Sequence, residues 1–136
     1  MKLEHIAVAV PSLEQALQFY RDTLGMVVVG FQDIPGEKVR VAILALGDTR
    51  RELLEPTADD SPISHFLDKH GGGIHHIALE VEKLDERVKG LEKSGVWVLP
   101  GKSEKGASGH RYAFLHPSSC GGVLVELVEA PVEAKR

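Results

Sequence analysis

The chain has 136 residues, 43% hydrophobic and 26% charged, which gives a globular chain and excludes a disordered one. Its formal net charge of −4 argues against nucleic acid and anionic membranes as general partners. A single cysteine, Cys120, excludes an intrachain disulfide and fits a cytoplasmic setting, and no signal peptide or membrane-spanning run is expected.

Taken in chain order, the N-terminus enters a β-rich run at once, HIAVAV from His5. Ser12 is placed to cap a helix over Leu13–Leu24, with Gln15 at the capping-box position and Gly25 just past the end. Strands are predicted at Met26–Phe31, Val39–Leu46 and Arg51–Glu55. Arg50 and Arg51 read as surface charges at a strand edge. Ser61 is placed to cap a short helix that ends by Gly71-Gly72-Gly73. A second β-rich run, HIALEV from His76, leads to a helix at Leu84–Lys93. Strands follow at Val96–Leu99, Arg111–His116 and Val123–Val128.

The order of elements repeats because the sequence repeats. LEHIAVAVPSLEQAL, from Leu3, aligns without gaps with IHHIALEVEKLDERV, from Ile74. His5 meets His76 in that alignment, and Ala7 meets Ala78. The ends of the halves match too, Arg51–Glu55 with Val125–Glu129, so Glu52 meets Glu126. From His5 to Glu52 is 47 residues and from His76 to Glu126 is 50, a difference that loop insertions produce. The expected fold is α+β: two tandem βαβββ modules forming a curved, partly closed mixed sheet around a metal site. The expected organisation is one domain, with module one at 1–56, a connecting helix at 57–73 and module two at 74–130.

Each half places a histidine at the start of its first strand and a glutamate on its last. Two imidazoles and two carboxylates suit a borderline divalent ion. The expected metal ligands are therefore His5, Glu52, His76 and Glu126. His75 falls on the opposite strand face from His76 and reads as structural.

With those residues in view, the sequence resembles the vicinal-oxygen-chelate superfamily, and within it the methylmalonyl-CoA epimerase family. The segments that carry the closer resemblance are ELLEPTADDSPISHFLDKHGGGIHHIALEV (Glu52 to Val81) and FLHPSSCGGVLVEL (Phe114 to Leu127). The resemblance implies a divalent ion, cobalt first, with manganese, nickel, zinc or magnesium as alternatives. It implies an acyl-CoA substrate and a homodimer. The implied reaction inverts C2 of methylmalonyl-CoA by proton abstraction and re-delivery through an enolate, with Glu126 as a base. Coenzyme A contacts fall, by the same resemblance, on the loop that carries Lys102, Gly106, Ser108, Gly109, His110 and Arg111. The sequence departs from the family at two positions: many epimerases have glutamine at Glu52, and some carry a glutamate, proposed as second base, at Val41. Glu37, His110 and a metal-bound water are the candidate second acids, and the alternative is one base that serves both faces through substrate or side-chain movement. The competing readings are a glyoxalase I-like lactoylglutathione lyase and a non-enzymatic small-molecule-binding module of the same superfamily.

Overall fold

The computed structural model describes residues 1–99 and 111–130. The chain divides into two compact units. One comprises His5–His75; the other comprises Met1–Glu4 with the described residues from His76 onward. Both are α+β, and each contains parallel and antiparallel strand pairs.

In the N-terminal unit, β1 (Lys2–Ala9) leads to α1 (Leu13–Leu17). Ser12 holds an extended conformation and its Oγ accepts the backbone N–H of Gln15 at 3.2 Å, which caps α1. The predicted helix to Leu24 is α-helical only through Leu17 and continues as a wider π turn over Gln18–Thr23. The Leu24 N–H reaches back five residues to the Phe19 carbonyl at 2.8 Å, and Gly25 then reverses the chain at φ +86°. The strands β2 (Val28–Ile34), β3 (Val39–Leu46) and β4 (Thr49–Pro56) follow, in the order β2-β3-β4-β1. The β1–β4 pair is parallel, and the other two pairs are antiparallel.

This sheet is buried on both faces, which explains the nearly unbroken apolar run in β3. Val8, Ala42, Leu44 and Leu53 pack against Leu13 and Leu17 of α1. On the other face, Ala7, Ala9, Val41, Ile43 and Leu54 pack with Ile63 of α2 (Pro62–His70). Leu44 and Leu53 are fully buried, worth about 1.5–3 kcal/mol each. Ser61 caps α2 by accepting the Ile63 N–H at 3.1 Å, and Gly71 ends it at φ +76°.

Arg51 differs from expectation. It points to the α1 face, where its Nη1 donates to the Tyr20 hydroxyl at 2.9 Å and its guanidinium lies 4.9 Å from the Tyr20 ring centroid. A strand-edge charge is thereby turned inward by a partner 31 residues away, and its Nε is buried with no hydrogen-bond partner among the described residues.

In the C-terminal unit, β5 (Gly73–Val81) pairs in parallel with β7 (Leu124–Glu129), which pairs antiparallel with β6 (Tyr112–Leu115). Helix α3 (Leu84–Lys93) packs through Leu84 on Ala113, Leu115 and Leu127. The predicted strand Val96–Leu99 is reduced to one bridge, Val98 with Leu115, held by two backbone bonds of 2.9 Å. Trp97 is half exposed there and stacks flat on His116, with ring centroids 3.9 Å apart. Among the described residues, no helix is long and apolar enough to cross a membrane.

Candidate metal centre

The two halves build the same local arrangement independently. In the N-terminal unit, Glu52 lies directly across the β1–β4 ladder from Ala7, two residues after His5. In the C-terminal unit, Glu126 lies directly across the β5–β7 ladder from Ala78, two residues after His76. Strand alternation puts each histidine on the face of its neighbouring glutamate. An alanine at the crossing leaves room for both side chains.

Both pairs close to contact. His5 Nδ1 lies 3.5 Å from Glu52 Oε2, and His76 Nε2 lies 3.1 Å from Glu126 Oε1. His5, Glu52 and His76 are buried, and Glu126 is nearly so. Burying ionisable groups is costly unless they are paired or hold a metal. Ligand atoms about 2.1 Å from one ion stand roughly 3.0–3.4 Å apart, so the His76–Glu126 pair has the spacing of two ligands in one coordination sphere, and the His5–Glu52 pair is slightly wider. The donor chemistry fits a divalent ion. The His76 ring is also set edge-on to Phe114, with centroids 5.5 Å apart, which fixes its orientation.

The surrounding faces differ in a way that sequence spacing did not reveal. Beside the N-terminal pair, Arg50 is the register partner of His5 on β4. The corresponding partner of His76 is Leu124. Val41 is 1% exposed in an apolar cluster, so the position aligned with some relatives' glutamate is dry. Glu37 lies in the exposed turn Pro35–Glu37, before β3. His75 packs edge-on against Phe66 of α2, with centroids 5.0 Å apart.

Of the residues expected to meet coenzyme A, Lys102, Gly106, Ser108, Gly109 and His110 lie outside the described residues. Arg111 sits on the α3 face of its sheet, away from Glu126. Its guanidinium donates to Asp85 at 2.6 Å and to Glu129 at 3.3 Å. The hydrogen bond it donates to Asp85 raises its pKa above the ordinary arginine value.

A second repeated device holds these faces in place. Glu55 accepts the backbone N–H of Leu13, the first residue of α1, at 3.4 Å. Glu129 accepts the backbone N–H of Leu84, the first residue of α3, at 3.3 Å. Each last strand thus ends in a carboxylate that caps the helix of its own unit.

Comparison with known proteins identifies the family. The family model of the Glyoxalase/Bleomycin resistance protein/Dioxygenase superfamily matches residues 4–114. Mitochondrial methylmalonyl-CoA epimerase of Mus musculus is 46% identical over 95% of this chain and 73% of its own length. The crystal structure of methylmalonyl-CoA epimerase from Mycobacterium tuberculosis is 37% identical, covers 96% of this chain and 89% of its own, and superposes with a TM-score of 0.88. A variant of Streptomyces coelicolor methylmalonyl-CoA epimerase, solved in complex with 2-nitronate-propionyl-CoA, is 36% identical over 97% of this chain and 99% of its own, with a TM-score of 0.88. The chain therefore belongs to the glyoxalase/bleomycin resistance protein/dioxygenase superfamily and, within it, to the methylmalonyl-CoA epimerase family of enzymes.

Proposed function

We propose that this enzyme inverts C2 of methylmalonyl-CoA in a metal-dependent reaction, with His5, Glu52, His76 and Glu126 as the ligands of one divalent ion. The observation that carries the reading is the duplicated His–Glu pair, buried in each unit and built on the same register. Cobalt is the preferred ion, with manganese, nickel, zinc and magnesium as alternatives. When bound, a divalent ion supplies Lewis-acid stabilisation of negative charge at the substrate oxygens.

The chain's residues then have separable tasks. The C2 proton is acidified by the flanking thioester and carboxylate. Glu126 takes that proton: the C2–H bond breaks, an O–H bond forms, and the electron pair moves into the thioester as an enolate. Phe114 holds the His76 ring against rotation. Val41 transfers no proton, so the second acid lies elsewhere. The acyl-CoA substrate is inferred from the relatives, one of which binds an acyl-CoA analogue. Assembly as a homodimer and a cytoplasmic location rest on the resemblance and on the sequence, and light scattering reads the first.

The deciding experiment is deuterium incorporation at C2 of methylmalonyl-CoA by purified enzyme. The hemithioacetal of methylglyoxal and glutathione serves as the control substrate. Exchange with the thioester and none with the hemithioacetal is expected. Turnover of the hemithioacetal alone would replace the reading with a lyase of the same superfamily.

A further inference from the structure

The repeat predicts matching rows of side chains on the two His–Glu faces, and the row one step beyond the glutamates breaks the match. In the N-terminal unit, the row one step beyond Glu52 is Ala9–Leu54–Val41. All three are buried in one apolar cluster. The corresponding row in the C-terminal unit is Glu80–Val128–Tyr112. Glu80 replaces Ala9 and Tyr112 replaces Val41, and both are half-buried. Two protic groups thus flank Val128 where the first unit has only hydrocarbon. The Tyr112 ring is set edge-on to Phe114 at 5.7 Å, and Phe114 is edge-on to His76 at 5.5 Å. Side-chain packing therefore links the phenol to the His–Glu pair.

We propose that Tyr112 is the second proton-transfer residue of the reaction, acting on the face of C2 opposite Glu126. This inference rests on the proposed epimerisation. Its geometric basis is row spacing. Same-face rows of a sheet stand about 6.6 Å apart, two residues of rise. A planar enolate reacts with groups about 3–3.5 Å from each of its faces. Glu126 and Tyr112 occupy adjacent rows on neighbouring strands, so an enolate between the rows meets a carboxylate on one side and a phenol on the other.

The protons balance. Glu126 gains the C2 proton as the enolate forms. The enolate pair then returns to C2, a new C2–H bond forms with the phenolic proton, and the Tyr112 O–H bond breaks to leave a phenolate. Glu126 gives its proton to water and the phenolate takes one from water, restoring both groups. In the reverse direction the other epimer reacts before that exchange with water: the Tyr112 phenolate takes the C2 proton, and protonated Glu126 gives its proton to the opposite face of the enolate.

The test uses the full chain in D2O, starting from each single epimer, with Tyr112→Phe, which keeps the ring contact with Phe114. Inversion is expected to fall at least about 100-fold. Exchange at C2 with retention of configuration, which needs only Glu126, is expected to persist from the epimer whose proton faces Glu126. Bound metal, KM and the thermal midpoint are expected to match wild type. Inversion within about threefold of wild type overturns the proposal, as does a parallel fall in exchange and inversion. Loss of inversion in Glu80→Gln with normal inversion in Tyr112→Phe also overturns it, by moving the role across Val128. A wild-type enzyme that exchanges nothing from either epimer instead defeats the proposed epimerisation itself.

Discussion

The carboxylate of Glu129, at the end of β7, accepts the backbone N–H of Leu84, at the start of α3, at 3.3 Å across 45 residues of chain. The residue before α3, Lys83, holds a left-handed conformation and supplies no side-chain cap. The cap is therefore tertiary, and Glu55 does the same for α1 through Leu13. A carboxylate at a helix N-terminus is worth about 0.3–1 kcal/mol. Glu55→Gln is expected to destabilise the chain by that amount. The urea midpoint reads the effect, and an unchanged midpoint would show the cap to be idle. Glu129→Gln is expected to cost more, because Glu129 also holds Arg111 at 3.3 Å.

Removing one ligand should be visible before any turnover is measured. His5→Ala and Glu126→Gln are each expected to weaken divalent-metal binding by at least about 100-fold and to abolish C2 deuterium exchange. Elemental analysis and calorimetry measure the first effect, and NMR of the recovered substrate measures the second. Full metal content in both variants would remove these residues from the ligand set. Treatment of wild type with a chelator is expected to stop exchange, and added cobalt to restore it.

Val41→Glu tests whether the family's alternative base fits this chain. Val41 is 1% exposed and packs in an apolar cluster with Ala7, Ala9, Val39, Ile43, Leu54 and Ile63. A carboxyl placed there is expected to cost at least about 2 kcal/mol, without raising turnover. Chemical denaturation and the exchange assay check the two halves of this prediction. A stable variant with faster inversion would mean that the cluster opens to substrate.

Cys120 offers a test of burial by pH. Burial pushes its thiol above the ordinary value, since the charged thiolate loses hydration. The folded state then holds the thiol proton more tightly than the unfolded state does. That contribution to stability is fully present below the unfolded thiol value and is lost as pH rises through the folded one. Alkylation of native protein by iodoacetamide is expected to begin at higher pH than alkylation in urea, over a series from about pH 7 to about pH 10. Coincident profiles would show the thiol to be fully hydrated.

The sequence was legible where a repeat and strand alternation act together. His5, Glu52, His76 and Glu126 fall at equivalent places in two aligned halves, and the ladders give them equivalent registers. Strands β3, β4 and β7 were legible to within two residues, because their apolar patterns are bounded by turns. Partnerships formed across long stretches of chain were not legible. Nothing near Arg51 announces Tyr20, and nothing near Lys83 announces Glu129. The row Glu80–Val128–Tyr112 joins three strands, so it emerges only once the register is known. The strand expected at Val96–Leu99 failed for a local reason: only Val98 forms a bridge with β6, which is itself four residues long.

The stack of Trp97 on His116 has a spectroscopic consequence. Trp97 is the only tryptophan in the chain and lies in the C-terminal unit, while the N-terminal unit carries Tyr20 as its one hydroxylated aromatic ring. Emission excited at the red edge of indole absorption therefore reports on one half of the duplicated fold and is blind to the other. Circular dichroism sees both. Coincidence of the two signals during unfolding would make the halves one cooperative system, and separation would assign the later or earlier transition to the half that holds Glu126.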